Sequence, residues 1–401
     1  MTTRAPITPD VICWARETAK LSVAEAAAAI GRPESDIIAW EDGSLQPTMP
    51  QARKAAHVYK RPLAVFYLPA PPKGWQVLRD FRTLPMDEPR EYSAELSYLM
   101  REAVSRQEWL REFLIEDGSD PLKFIGSATT STNVLSLAQA IRSQLGITTE
   151  ACCTCRSRDE ALGLWMAKAE EAGVFLFREG SVGCVEARGF VLADEYAPFI
   201  FLNSSDAKVA QIFTLAHELV HLWINEPGVS NLETRGSSPD KSAESIEVFC
   251  NAVAGYLVLD QAAFEQSYKL RDRSRAIKEH IESLSSHFKV SREVVARRLL
   301  EMGELTQKTY AALRRQYHEE WLEFREQERL RQKSRETGPS YYRVLVSKNG
   351  KAYTRTVLSA YYSGAVSGRT TSELLNVKIN NLPKLAEEAG SFVGAYKGES
   401  R

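Results

Sequence analysis

The sequence predicts a mainly α protein with one small β-sheet set into its middle (an α+β fold). Three observations lead there. Much of the chain carries apolar residues at helical spacing, as in Leu96, Leu99, Met100, Ala103, Val104 and Leu110. Short strand-like apolar runs cluster in one region: Val174 to Phe177, Gly189 to Leu192 and Phe199 to Leu202. The last run leads directly into another long apolar helix pattern around residues 212–220. At 401 residues the chain has room for several domains with real cores. Composition shifts divide it into an N-terminal helix-turn-helix bundle (1–72), a helical connector (73–158), a central domain (159–304), a long charged helix (305–338) and a small C-terminal hairpin/helix module (339–401).

Apolar residues make up 44% of the chain and charged residues 26%, the proportions of a soluble globular protein. The formal net charge of −1 excludes a global attraction to nucleic acid or to an anionic membrane. No apolar run is long enough to span a membrane, so no membrane partner is expected. The opening Met-Thr-Thr-Arg-Ala-Pro lacks an apolar signal core, and the expected location is the cytoplasm. The six cysteines are then free thiols. Cys152, Cys153 and Cys155 form a cluster that reads either as a redox or second metal site or as a loop ahead of the helix near residue 157. No second cysteine pair lies at zinc-ribbon spacing, which favours the loop.

Taken in order, Val11 to Lys20 has a short helical pattern. Ser22 then caps Val23 to Ile30, with Glu25 completing a capping box. Gly31-Arg32 makes a turn, and Pro33 opens a helix to Trp40. This helix, turn and helix resembles an Xre/lambda-repressor-type domain over residues 8 to 66. Arg32, Ser35 and Lys54 are its candidate DNA contacts, although Glu34 and Asp36 carry the wrong sign for phosphates. The proline-rich Pro69 to Lys73 closes this part, and Arg79 to Arg82 leads into a loop. Helices follow over Ser93 to Leu114, Leu135 to Leu145 and Asp159 to Gly173, and then the strand runs. Further on, Arg275 to His287 and Ser291 to Glu301 read as helices, the second capped by Ser291. Leu305 to about Lys333 is a long charged helix broken by Gly338-Pro339. Asn349-Gly350 between Tyr341–Ser347 and Ala352–Thr356 signals a β-hairpin, and Val357–Tyr362 and Thr371–Leu375 read as helical.

The chemistry is concentrated in His217-Glu218-Leu219-Val220-His221. Histidines four apart lie on one helical face, so both imidazoles can reach one ion. Glu218, one residue along, is placed to act on a metal-bound water rather than to bind the metal, the arrangement of HExxH zinc peptidases. Ile212, Phe213, Leu215, Ala216, Leu219 and Val220 make this helix buried. Two histidines leave a catalytic Zn²⁺ site short of one ligand. Ile246, Phe249, Cys250, Val253 and Leu257 mark a second buried helix, and Glu247 upon it is the expected third ligand, with Glu244 as its competitor.

Phe213 to His221, followed by Glu247 to Ala254, resembles the ImmA/IrrE family of metallo-endopeptidases. That family carries an FTLAHELGH-like helix and then an E-x-x-A-N-x-F-A helix whose glutamate binds zinc. Val220 (usually Gly), Cys250 (usually Ala) and Val253 (usually Phe) depart from the pattern and leave the ligand positions untouched. Arg188-Gly189-Phe190 and Pro198 to Asn203 match the family's strand region, so the resemblance spans about residues 160 to 300. It implies a single Zn²⁺ and a protein substrate, typically a DNA-binding transcriptional repressor. The resulting expectation is a zinc endopeptidase with His217, His221 and Glu247 as ligands and Glu218 as general base. Tyr256, Tyr268, His280 and His287 are open candidates for the oxyanion donor. Two rivals keep the metal: a transcription regulator whose zinc domain senses, and a toxin–antitoxin-type component. For the substrate, Phe199, Ile200, Phe201 and Leu202 are expected to form a strand that is itself a sheet edge, or lies beside one, open towards the histidines. Phe199 and Phe201 would then face the core, with Ile200 and Leu202 on the other side.

Overall fold

The computed structural model describes residues 4–72, 93–225, 228–230, 241–271, 274–333 and 340–390. Within these, side chains at 228–230, 241–244 and 324–333 are left undescribed. The Arg79–Arg82 loop, the Gly338-Pro339 break and the Glu244 side chain lie outside the described residues. The protein is mainly α with a small four-stranded sheet. Residues 4–72 and 93–105 form one compact unit, and the described residues from 106 onward form another.

The N-terminal unit packs α1 (Pro9–Thr18), α2 (Val23–Ile30), α3 (Glu34–Glu41) and α4 (Met49–Val58) around Ile12, Ala27, Ile37, Trp40 and Tyr59. Ser22 and Glu25 make the reciprocal capping bonds at the start of α2, and Thr48 and Gln51 repeat them on α4. Gly31 ends α2 at φ +70°. Arg16 on α1 grips Glu41 on α3 through two hydrogen bonds of 2.6 and 2.9 Å. A bidentate pair of this kind fixes the helix packing more firmly than a single contact.

The second unit includes the later half of α5 (Ala94–Glu116), then α6 (Val134–Leu145), α7 (Thr149–Thr154) and α8 (Arg158–Glu171). Strands β1 (Phe175–Glu179), β2 (Gly189–Leu192) and β3 (Phe199–Asn203) precede α9 (Lys208–Ile224). Strand β4 (Gly228–Ser230) and α10 (Lys241–Val258) follow it. The strand order is β1-β3-β2-β4, with β1 and β3 parallel and the other pairs antiparallel. Leu176, Val191, Ile200 and Leu202 belong to the same core as Ile212, Leu215 and Leu219 of α9. The opposite face is a cluster of Phe175, Phe177, Phe190, Phe199 and Phe201, with Tyr353 edge-on to Phe199 at 5.8 Å. Phe199 and Phe201 do lie opposite Ile200 and Leu202, but both faces are buried. That is why Phe-Ile-Phe-Leu reads as a continuous apolar run.

The C-terminal end of α9 is held by its neighbours. Asn225 adopts the left-handed conformation just beyond the helix. Gly126 and Ala128 donate backbone hydrogen bonds to the Leu222 and Trp223 carbonyls at 3.1 and 2.9 Å, and Phe124 stacks on Trp223. Burying each large side chain of α9 contributes about 1.5–3 kcal/mol. Leu215, Leu219 and Leu222 are all fully buried.

Three expectations are corrected here. Phe199–Leu202 is not an edge strand, because β3 pairs with β1 on one side and β2 on the other. Its neighbour β1 is outermost, but α15 (Tyr341–Asn349) and α16 (Lys351–Tyr362) pack against it. Those two helices are the second correction, since a hairpin was expected around Asn349-Gly350. Leu345, Val346 and Asn349, then Tyr353, Thr354, Val357, Leu358 and Ala360, are the buried positions, and that spacing is helical. Gly350 turns the chain between the helices at φ +79° and ψ 149°. The third concerns Cys152 to Cys155, which lie in and just after the helix α7, capped by Thr148, instead of in a loop.

After α10 come α11 (Gln261–Lys269), α12 (Ile277–Phe288), α13 (Arg292–Glu301) and α14 (Gln307–Lys333). Helices α17 (Gly368–Leu375) and α18 (Leu382–Ala389) complete the C-terminal group. This group is tied to the sheet region through Lys348 and Glu179 (2.5 Å) and through the Ala352 amide, which donates to the Glu170 carboxylate (3.1 Å).

Candidate metal centre

Helix α9 carries His217 and His221 one turn apart, and both are buried. Helix α10 packs along it with Cys250, Val253, Ala254 and Leu257 fully buried. This packing brings Glu247, near the start of the described side chains of α10, over the two imidazoles. The Nε2 atoms of His217 and His221 are 3.1 Å apart. The Glu247 carboxylate oxygens lie 3.3 Å from His217 Nε2 and 3.4 Å from His221 Nε2.

These three spacings test whether a metal fits. Donors about 2.0–2.1 Å from a tetrahedral Zn²⁺ are separated from one another by about 3.3 Å. The imidazole nitrogens 3.1 Å apart, with one Glu247 oxygen 3.3 Å from the first and the other 3.4 Å from the second, therefore lie at the spacing of donors that share a tetrahedral ion. Among the described residues, His217, His221 and Glu247 are the one group of three such donors close enough to share an ion. Burial pushes the Glu247 carboxyl up, but the facing imidazoles of His217 and His221 pull it down further. The carboxyl is held well below the usual carboxylate range. An anionic donor is thus maintained beside two imidazoles.

Residues 169–300 match the peptidase M78 family model, the IrrE N-terminal-like domain. The match runs from the end of α8 to α13 and takes in the three donors and Glu218. It supports a metallopeptidase domain here. Comparison with curated proteins finds no match.

Glu218 is completely buried on α9. Of the candidate oxyanion donors, the two tyrosines have partners of their own. Tyr256 lies nine residues beyond Glu247 on the same helix, about 13 Å along its axis, and packs under the Arg298 guanidinium at 3.4 Å. Tyr268 donates to Glu304 at 2.9 Å. His280 and His287 line a cleft between α11 and α12 with Arg271 and Arg275.

In the N-terminal unit, Arg32 is held by the Asp36 carboxylate, while Ser35 and Lys54 are exposed. Burial pushes the Cys152 thiol up to about 11 and raises Cys153 and Cys155 as well.

Sequence reasoning overlooked Gly189. A Cβ placed on this β2 glycine would lie 2.6 Å from Thr214 Cγ2, 2.9 Å from the Phe201 carbonyl and 3.0 Å from Glu218 Oε1. The available signal was a glycine at the head of an apolar strand, a common mark of close approach.

No helix among the described residues is long and apolar enough to cross a membrane.

Proposed function

We propose that the matched region is a zinc-dependent endopeptidase in which His217, His221 and Glu247 hold the ion and Glu218 is the general base. The convergence of the two imidazole nitrogens and the Glu247 carboxylate carries this reading. Zn²⁺ in such a site polarises a peptide carbonyl and lowers the pKa of water towards about 7. The Glu218 carboxylate takes the proton of the attacking water and returns it to the leaving nitrogen. Its complete burial keeps it out of bulk solvent, where its charge would be screened.

The substrate is proposed to be a repressor-type regulatory protein in the cytoplasm, in keeping with the motif resemblance. The N-terminal unit is proposed to contact protein rather than DNA. Glu34 and Asp36 occupy the first turn of α3, and Arg32 is already engaged by Asp36. A promoter duplex that bound this unit with a steep salt dependence would reverse that assignment.

The decisive experiment compares wild type with Glu218→Gln, first by metal analysis and then on a library of internally quenched peptides. Equal zinc content with cleavage by the wild type alone supports the peptidase. Equal zinc content with no cleavage by either favours a sensing role, because a sensory site has no use for a general base.

A further inference from the structure

We infer that Gly189 is a positioning residue for Glu218: the missing side chain leaves room for the Thr214 methyl and for the carboxylate that lies beside it. This rests on the reading of Glu218 as general base.

The backbone does not explain the glycine. Gly189 lies in β2 outside the left-handed region, so its conformation suits any L-residue. A glycine in such a strand weakens it, and a methyl group would ordinarily be favoured. The space around it gives the reason. Its α9-facing side meets Thr214 and Glu218, which are one turn apart on the same face of that helix. The Thr214 methyl and the Phe201 carbonyl are closer to an added methyl than real contacts allow, and Glu218 Oε1 is at the limit.

Retreat is blocked on both sides. Strand β2 is held between β3 and β4, with Gly189 opposite Leu202 and Ser230. Helix α9 is fixed by its buried apolar residues. The Phe201 carbonyl belongs to the ladder, and Thr214 is β-branched and stiff about χ1. The end of the Glu218 side chain is the softest of the three neighbours. A methyl at position 189 would press first on the Thr214 methyl and the Phe201 carbonyl, and the carboxylate, at the limit of contact beside them, is the group free to give way. Proton transfer needs a heavy-atom separation within about 2.6–3.2 Å, so a shift of a few tenths of an ångström matters.

The test is Gly189→Ala, assayed with the best peptide from the quenched library. Zinc content should stay at the wild-type level, kcat should fall at least tenfold and KM should change less than twofold. A wild-type kcat overturns the inference. Should Gly189→Ala fail to fold or to load metal, Gly189→Ala/Thr214→Ala removes the tightest clash. A folded, loaded double variant that stays slow supports the inference, whereas full recovery of kcat assigns the glycine to Thr214 alone and overturns it.

A stability cycle needs no substrate and separates this inference from the peptidase reading. Gly189→Ala should lower the melting midpoint less in a Glu218→Ala background than in wild type. Equal losses in both backgrounds refute the contact, even if the protein cleaves nothing.

Discussion

Replacing Gly350 with alanine tests how the C-terminal helices are joined to the sheet. At φ +79° and ψ 149° the residue sits in a region that side-chain-bearing residues avoid. Forcing alanine into it costs about 1–3 kcal/mol. The new Cβ would also lie 1.9 Å from the Leu176 carbonyl oxygen of β1 and 3.2 Å from Glu170 Oε1. Relieving that clash requires the α15–α16 junction to move off β1, an overpacking cost of about 1–3 kcal/mol. Together these give about 2–6 kcal/mol, which lowers the melting midpoint by roughly 4–12 °C at about 2 °C per kcal/mol for a unit this large. The assay is thermal unfolding followed by circular dichroism, alongside zinc content. Zinc binding should persist, because α9 and α10 carry the donors. A Gly350→Ala protein that melts within about 1 °C of wild type would refute both the strain and the close approach.

Other outcomes follow from the same geometry. His217→Ala or His221→Ala should abolish zinc binding and Glu247→Ala should weaken it strongly, as read by metal analysis after dialysis; full zinc retention by Glu247→Ala would remove it from the site. With its pKa near 11, Cys152 is about one part in a thousand thiolate at pH 8. Iodoacetamide should therefore modify it only after unfolding, and rapid native labelling would contradict the burial. The Glu170 carboxyl is raised by burial, against the opposing hydrogen bonds from the Ala352 and Lys351 amides. A raised folded pKa means that its contribution is fully present below the unfolded value and is lost as pH rises through the folded one. Glu170→Gln, which can still accept from Ala352, should gain stability relative to wild type as pH rises above about 4.5 in urea titrations, and a difference that stays constant with pH would exclude the effect.

The two histidines were legible because four-residue spacing on a helix converts directly into proximity. Glu247 was legible because it interrupts the apolar pattern of the next buried helix. Strand pairing was not. Phe199 to Leu202 announces burial, but nothing local says which strands flank it, and the parallel partner β1 lies beyond an intervening strand. Asn349-Gly350 misled because a positive-φ glycine serves a helix junction as readily as a hairpin, and the longer-range period of Tyr353, Val357 and Ala360 decides between them. Gly189 signalled a close approach without saying what approaches. What it makes room for comes from α9, 25 residues or more further along the chain, and only the fold brings the two together.

The strap formed by Phe124, Gly126 and Ala128 across the end of α9 has a consequence for metal exchange. It terminates the histidine-bearing helix with protein groups, and the apolar core secures the rest. An ion is therefore at most one contributor to a scaffold already packed by protein groups, unlike small zinc modules that unfold when stripped. On the proposed reading, loading is an equilibrium between a preformed receptor and the free ion. If the site works as proposed, the fraction of competent molecules rises smoothly with the supply of the ion, and chelation removes activity reversibly.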